Sequence, residues 1–415
     1  MKKLTLTAIG LALLCSNNAE AAGYQLNEYS VTGLGRSFAG AGVVGDDYSA
    51  LAYNPAGMTL MKRSGFQGAM TMAEMASTIK GKGAYEGEET KMHYGVALPS
   101  GFGHWNVNDK LFVGAGIYAP YGLSTKHKSA SFIGNTARKS ELEVIDSSLA
   151  AAYKVTDKLS LGATATLRYI HGNMTQNLGP IGGGVIGGDA NYDLDGWTGT
   201  GTIGAMYEFT PDTRLGISYK FRSIQKVKGD FTINSNGALA GVPEIPPAGQ
   251  YVFPDGEASP DLPASVLISG YHKLNDKIGL SSSIRWTEWS KSFPEFVMTS
   301  ESAQNQVIHP YKWRDTWTVA VGADYYFNDN WTFRIGTAYD QSPAEDPANR
   351  SNRIPDSDRI WLSAGLSYSA DNWQIDAGVA HLFMKKADIN MPGNNVYSEY
   401  SSYSNMYGLN FMYKF

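Results

Sequence analysis

From Ser64 to the end of the chain, apolar and polar positions alternate with a period of two. In the last stretch Tyr403, Tyr407, Leu409, Phe411, Tyr413 and Phe415 share one side, and Ser402, Ser404, Met406, Gly408, Asn410 and Lys414 share the other. Trp317, Val319, Val321, Ala323, Tyr325 and Phe327 alternate in the same way with Thr318, Ala320, Gly322, Asp324 and Tyr326. Such spacing predicts strands with one apolar face. Fourteen are legible: 64–79, 91–106, 110–121, 140–155, 158–175, 191–209, 213–232, 262–275, 277–293, 310–328, 330–341, 357–370, 372–387 and 402–415.

Alternation alone fits a soluble sandwich or a membrane barrel. Two further patterns separate them. Trp331, Trp373, Tyr169, Tyr339, Tyr368, Phe327, Phe209 and Phe221 lie near the ends of the apolar faces, where a barrel places its aromatic girdles. The links alternate between long stretches (80–90, 122–139, 176–190, 233–261, 294–309, 342–356, 388–401) and tight turns such as Thr156-Asp157 and Thr210-Pro211-Asp212. Long loops on one side and short turns on the other describe an up-and-down barrel. The sequence therefore predicts an all-β fold, a transmembrane antiparallel β-barrel of fourteen strands spanning 64–415, ending in the aromatic Phe415. Its strands exceed the roughly 9–11 residues that cross a bilayer, so they should protrude from it.

The stretch 22–63 breaks this rhythm. Gly33, Gly35, Gly40, Gly42, Gly45 and Gly57 interrupt it, yet Leu26, Leu34, Phe38, Val43, Val44 and Leu51 need burial. A barrel lumen supplies that place, and the stretch reads as a plug. Residues 1–21 read as a signal peptide: Lys2 and Lys3, the short apolar run Leu4–Leu14, and Ala19-Glu20-Ala21 before the cut. Export agrees with cysteine usage, because Cys15 is the single cysteine and leaves with the signal. Charged residues make up 18% of the chain, below the roughly one quarter of an average soluble domain. The net charge of −5 argues against nucleic acid as a partner.

Several motifs carry a resemblance. Ala22-Gly23-Tyr24-Gln25-Leu26-Asn27-Glu28-Tyr29-Ser30, Gly33-Leu34-Gly35-Arg36, Asp46-Asp47 and Asn54-Pro55-Ala56 resemble the N-terminus of the long-chain fatty acid transporter (FadL) family of outer membrane proteins. Tyr325–Arg334, Asn349-Arg350-Ser351, Ile354-Pro355-Asp356 and Trp361–Gly365 are similar to later family segments. The resemblance implies a fourteen-stranded barrel in a Gram-negative outer membrane, closed by an N-terminal hatch. It also implies passive uptake of a hydrophobic molecule: capture at the outer loops, binding in a lumenal pocket, and sideways exit through a kink in the third strand. The expected partners are a long-chain fatty acid or other hydrophobic small molecule and the surrounding lipid and lipopolysaccharide, with the protein a monomer. No cofactor or metal is expected.

The residues that would do this follow partly from chemistry. Pro120 in Tyr118-Ala119-Pro120-Tyr121-Gly122 cannot donate to a strand ladder and Gly122 weakens it, so an opening in the wall is expected there. Asn54-Pro55-Ala56 reads as a tight turn, with Asn54 capping neighbouring backbone, and is expected to shape the hatch beside that kink. The resemblance makes Tyr24 the hatch tip that meets ligand. It places Arg314 and His171 where the family has basic pocket residues, which would pair with a carboxylate. Arg168, Arg334 and Lys414 are expected only to pair with lumenal carboxylates such as Asp324, Asp340 and Asp376. The apolar residues of 181–188 and 238–254 would offer ligand a landing surface. Three alternatives remain: uptake of uncharged hydrocarbons, an open porin, and a loop-borne hydrolase. The last lacks any nucleophile–base motif, and Gly33–Gly42 lacks the strand and spacing of a nucleotide loop.

Overall fold

The computed structural model describes residues 23–178, 186–239, 246–292, 296–301, 305–309, 311–391 and 396–415. The expected signal peptide and much of the two apolar loop stretches lie outside them. Among the described residues nineteen strand segments join into one sheet, and the first pairs with both the second and the last, so the sheet closes. Five strands are interrupted along their length, which makes fourteen antiparallel barrel strands. They are β1 Gly65–Lys82, β2 Glu89–Asn106, β3 Leu111–Lys126, β4 Lys139–Lys154, β5 Leu159–Asn177 and β6 Gly188–Thr210. β7 comprises Thr213–Lys220 and Val227–Ser235, β8 Gly249–Ala258 and Ser265–Asn275, β9 Ile278–Thr287 and Phe296–Ser300, and β10 Asn305–His309 and Thr316–Tyr326. β11 Trp331–Asp340, β12 Arg359–Ser369, β13 Trp373–Met384 with Ala387–Met391, and β14 Val396–Lys414 complete the wall.

The two faces have the chemistry the alternation predicts. Outward residues such as Leu149, Leu167 and Leu409 are 54–69% exposed, as a lipid-facing band requires. Inward neighbours, among them Ser148, Thr164, Thr166 and Arg168, are buried. The structure corrects the expected strands at the outer end. The loops expected at 233–261 and 294–309 contain the strand segments Gly249–Ala258, Phe296–Ser300 and Asn305–His309, Ala387–Met391 runs from the expected strand 372–387 into the expected loop 388–401, and β14 begins at Val396. The expected continuous strand 213–232 is broken between Lys220 and Val227. Above the bilayer neither face must be apolar, so Gln250-Tyr251-Val252-Phe253 pair as a strand without a period of two.

Residues 23–63 are almost wholly buried and contact inward faces on opposite sides of the barrel. Glycines on both partners make the approach close. Gly35 lies against Gly365 of β12, and a Cβ on either would sit about 2.9 Å from the other's Cα. A Cβ at Gly336 of β11 would overlap the Arg36 backbone. Ions fix this end. Arg36 Nη1 lies 2.6 Å from Asp46 and 2.9 Å from Asp324 of β10. Arg334 of β11 reaches Asp46 at 3.2 Å and Asp324 at 3.1 Å.

The Gly336 contact gives a test of whether the segment seals the lumen. Gly336→Val should unseat it at a cost of about 1–3 kcal/mol or more while leaving the lipid-facing pattern intact. The expected result is a barrel that still shows heat-modifiable migration but admits large antibiotics. A fully folded variant as impermeable as the parent would show that Arg36 can move aside without opening the lumen.

Candidate functional site

The wall is unzipped between β2 and β3. β2 pairs with β1 from Lys80↔Glu89 down to Gly65↔His104. It pairs with β3 only from Gly101↔Ile117 to Asn106↔Phe112. Beyond that point β3 stays on β4, with a register shift between Tyr118 and Tyr121. Pro120, which has no N–H, sits in this bulge. Tyr121 and Gly122 are buried, so the strand has turned inward.

The edge that β3 withdraws from β2 finds its partners on the N-terminal segment. Leu26 N–H donates to Pro120 O (2.9 Å), Gly122 N–H donates to Tyr24 O (2.9 Å), and Gln25 bridges to Tyr121. All four residues expected at the opening, Tyr118, Pro120, Tyr121 and Gly122, thus lie at the seam. Asn54-Pro55-Ala56 does not meet them. Asn54 caps the 3-10 turn Pro55–Leu60 by accepting Ala56 N–H (3.1 Å) and donates to Ala205 O of β6 (3.1 Å). Gly162, Gly204 and Gly216 on β5–β7 make room for it. The expected place beside the kink belongs to Tyr24–Leu26 instead.

At the height of this seam β7, β8, β9 and β10 are also interrupted. Trp289 from the break in β9 and Trp313 from the break in β10 fold inward as an aromatic cluster around Tyr24. Its ring centroid is 4.8 Å from Trp289, 5.9 Å from Trp313 and 6.0 Å from Tyr121. Gly23 (φ +64°) is pressed against Trp289, with no room for a Cβ, and donates its N–H to Asp356 (3.2 Å). Burial pushes the Asp356 carboxyl up to about 6, and the Arg359 guanidinium beside it pulls the other way.

Above the cluster is a cavity of about 60 Å³ between β3–β7 and the loop before β12. Leu123, Leu142, Ile170, Met174, Leu194 and Val227 give it apolar walls and Tyr24 lies at its margin. Its cation is Arg353, whose Nη1 donates to Ser140 Oγ (3.1 Å) and Lys139 O (3.2 Å) and whose Nη2 donates to Gln176 Oε1 (2.8 Å). Among the described residues no carboxylate comes within ion-pair distance of it; Glu141, also at the cavity, pairs with Lys139 at 2.5 Å. Burial pushes the Arg353 guanidinium down from its ordinary value, with Tyr311 and Tyr192 opposing.

The two basic residues expected in the pocket lie elsewhere. Arg314 is partly exposed and pairs with Glu345 at 2.9 Å. His171 follows the outward set of β5 and its Nε2 lies 2.9 Å from Asp193. Arg353 was missed because it lies in a loop, where no periodicity tells which way a side chain points. The available signal was its place one residue before Ile354, in a run already similar to the family.

Glu28, two residues beyond the seam contacts, is 1% exposed and accepts Asn27 N–H at 2.6 Å. Burial pushes its carboxyl up to about 7, although the Asn27 N–H and Arg359 pull it down. A carboxyl whose folded value is raised favours the folded state when protonated. Its contribution, about 3 kcal/mol, should fall as pH rises from 4.5 through about 7 and stay constant above. Hydrogen exchange of the Asn27–Ser30 amides should therefore be slower at pH 5.5 than at pH 8, after correction for intrinsic rates. Glu28→Gln should flatten that dependence; an unchanged profile would rule out Glu28 as its source.

The family model described as outer membrane protein transport protein (OMPP1/FadL/TodX) matches residues 12–415. A long-chain fatty acid transport protein of Escherichia coli O6:H1 is 30% identical over 439 residues, covering 98% of this chain and 97% of that one. The crystal structure of a Pseudomonas aeruginosa FadL homologue superposes with a TM-score of 0.85 at 26% identity, covering 95% of this chain and 100% of the other. The Ralstonia pickettii toluene transporter TbuX shares the fold, with a TM-score of 0.67 at 22% identity over 93% of this chain and 98% of its own.

Proposed function

The chain belongs to the outer membrane protein transport family that takes in OMPP1, FadL and TodX, and we propose that its cargo is a long-chain fatty acid, taken up passively. At the level of the family it is an outer-membrane transporter of hydrophobic molecules. In the proposed route a fatty acid adsorbs to the outer loops and enters the apolar cavity. Its carboxylate settles on Arg353. Displacement of Tyr24 from its aromatic neighbours then lets it pass along the N-terminal segment to the seam between β2 and β3. It leaves there sideways into lipid, so the acyl chain never crosses the polar lower lumen. The hatch acts as gate as well as plug in this reading.

The observation that carries the proposal is Arg353. A partly buried guanidinium whose hydrogen-bond partners among the described residues are all neutral oxygens retains a desolvation cost that a carboxylate ligand would offset. A second reading, uptake of uncharged hydrocarbons, draws support from the otherwise apolar walls of the same cavity. It also fits a guanidinium whose donors are already engaged.

The two readings part on one substitution. Arg353→Gln should weaken oleate binding about 10–100-fold, the value of a charge-assisted hydrogen bond, and leave toluene binding within about twofold. Equilibrium binding followed by tryptophan fluorescence, with Trp289 and Trp313 beside the cavity, measures both. Equal loss for the two ligands, or none for oleate, would favour the hydrocarbon reading.

A further inference from the structure

Below the Tyr24–Tyr121 pair the lumen changes character. A second void, of about 20 Å³, lies between Gln25 and Leu26 of the hatch, Pro120 of β3 and inward residues of β7–β9. Lys220 and Arg285 both line it. The Tyr121 ring that faces Tyr24 above lies 5.4 Å from Lys220 Nζ and 5.3 Å from Arg168 Cζ. One aromatic side chain therefore stands between the apolar cavity and a cationic compartment.

These two cations are compensated differently from the other buried ones. Arg168 is held by both oxygens of Asp146, at 2.6 and 2.7 Å. Arg36 and Arg334 share Asp46 and Asp324, and Arg359 is paired with Asp356. Among the described residues the one carboxylate within ion-pair distance of Lys220 is Asp146, at 3.7 Å, on the oxygen already bonded to Arg168. Arg285 is 91% buried and donates to the neutral side-chain oxygen of Asn27. Among the described residues no carboxylate lies within ion-pair distance of it. Asp340, which lines an adjoining void with Arg285, accepts from Thr318 Oγ1 at 2.6 Å and lies 3.7 Å from Arg359. Two basic side chains thus border one void, and among the described residues a single carboxylate, already shared with Arg168, lies within ion-pair distance of them.

We propose that Lys220 and Arg285 form a second anion station, which receives the carboxylate of an amphiphilic ligand after it passes Tyr24 and holds it beside Pro120 at the seam. This rests on the fatty-acid reading above and gives it a reason to favour acids over neutral analogues in transit as well as in capture. A carboxylate leaving Arg353 would otherwise lose its partner inside a desolvated lumen, where an uncompensated charge is strongly disfavoured. A partner at the next compartment lowers that barrier. The void has room for about one water-sized group, so the headgroup enters as Lys220 withdraws. Its flexible four-carbon stem and long 3.7 Å contact permit this.

The test uses the full-length protein in outer-membrane vesicles and compares initial uptake of oleate with that of methyl oleate. Lys220→Met and Arg285→Gln should each slow oleate uptake about tenfold, with methyl oleate uptake and equilibrium oleate binding changed by less than about twofold. Lys220→Arg should restore the oleate rate. Heat-modifiable migration verifies each fold, and Lys220→Met leaves the Asp146–Arg168 pair intact. If the parent prefers oleate and both variants keep that preference, the second station is wrong while the fatty-acid reading stands. If oleate and methyl oleate slow together, the two residues only support packing and the station is likewise wrong. If the parent shows no preference for oleate, the fatty-acid reading itself fails, and the station with it.

Discussion

Two backbone hydrogen bonds between the N-terminal segment and β3 hold the seam in its present form. A strand that leaves its neighbour exposes N–H and C=O groups that must be bonded elsewhere when buried. Pro120 removes one donor from that account. Leu26 N–H and Tyr24 O satisfy Pro120 O and Gly122 N–H. The inward turn of β3 and the position of the hatch tip are therefore one structural fact. Moving Tyr24–Leu26 strands the edge of β3, and returning β3 to β2 strands the hatch. The seam, the aromatic cluster and both voids are arranged around this shared edge.

The hatch is held differently at its two ends. Near Arg36 it is clamped by ions and by glycines that bring backbones together. Burial alone would raise the Asp46 carboxyl, but Arg36 and Arg334 hold it well below the usual range. Removing one partner of such a network leaves a buried uncompensated charge, so this end is costly to move. At the Tyr24 end the contacts are aromatic edges, single backbone hydrogen bonds and a glycine with positive φ. Each is individually worth about 0.5–1.5 kcal/mol. The energetic asymmetry makes the tip less costly to displace than the base, and the cavity lies at the tip.

The sequence was most legible where the membrane enforces it. For β1–β6, β11 and β12 the apolar face must meet lipid, so the period of two reveals both strand and orientation. It failed above the bilayer, where Gly249–Ala258 and Asn305–His309 pair without a lipid face to mark them. The interruptions in β7–β10 were invisible for a related reason: Trp289, Tyr311 and Trp313 read as ordinary aromatic residues, and only the tertiary fold turns them inward. Tyr24 and Pro120 could be found because a missing N–H and a hatch motif mark them directly. Arg353 could not, since loop direction is set by contacts with Ser140 and Gln176 from distant strands.

The arrangement of charge then explains why such a lumen is not simply filled with apolar side chains. An apolar core of equal volume would be at least as stable as paired buried ions. Here the cations divide into two sets. Those at the base are saturated with carboxylates and fix the hatch. Arg353, Lys220 and Arg285 face voids and are bonded mainly to neutral oxygens or to a carboxylate shared with another cation. They also lie in sequence along the proposed path from outer cavity to seam, with Tyr24 and Tyr121 between the first and the other two. Stability accounts for the first set. The second set would give the proposed anionic cargo its partners.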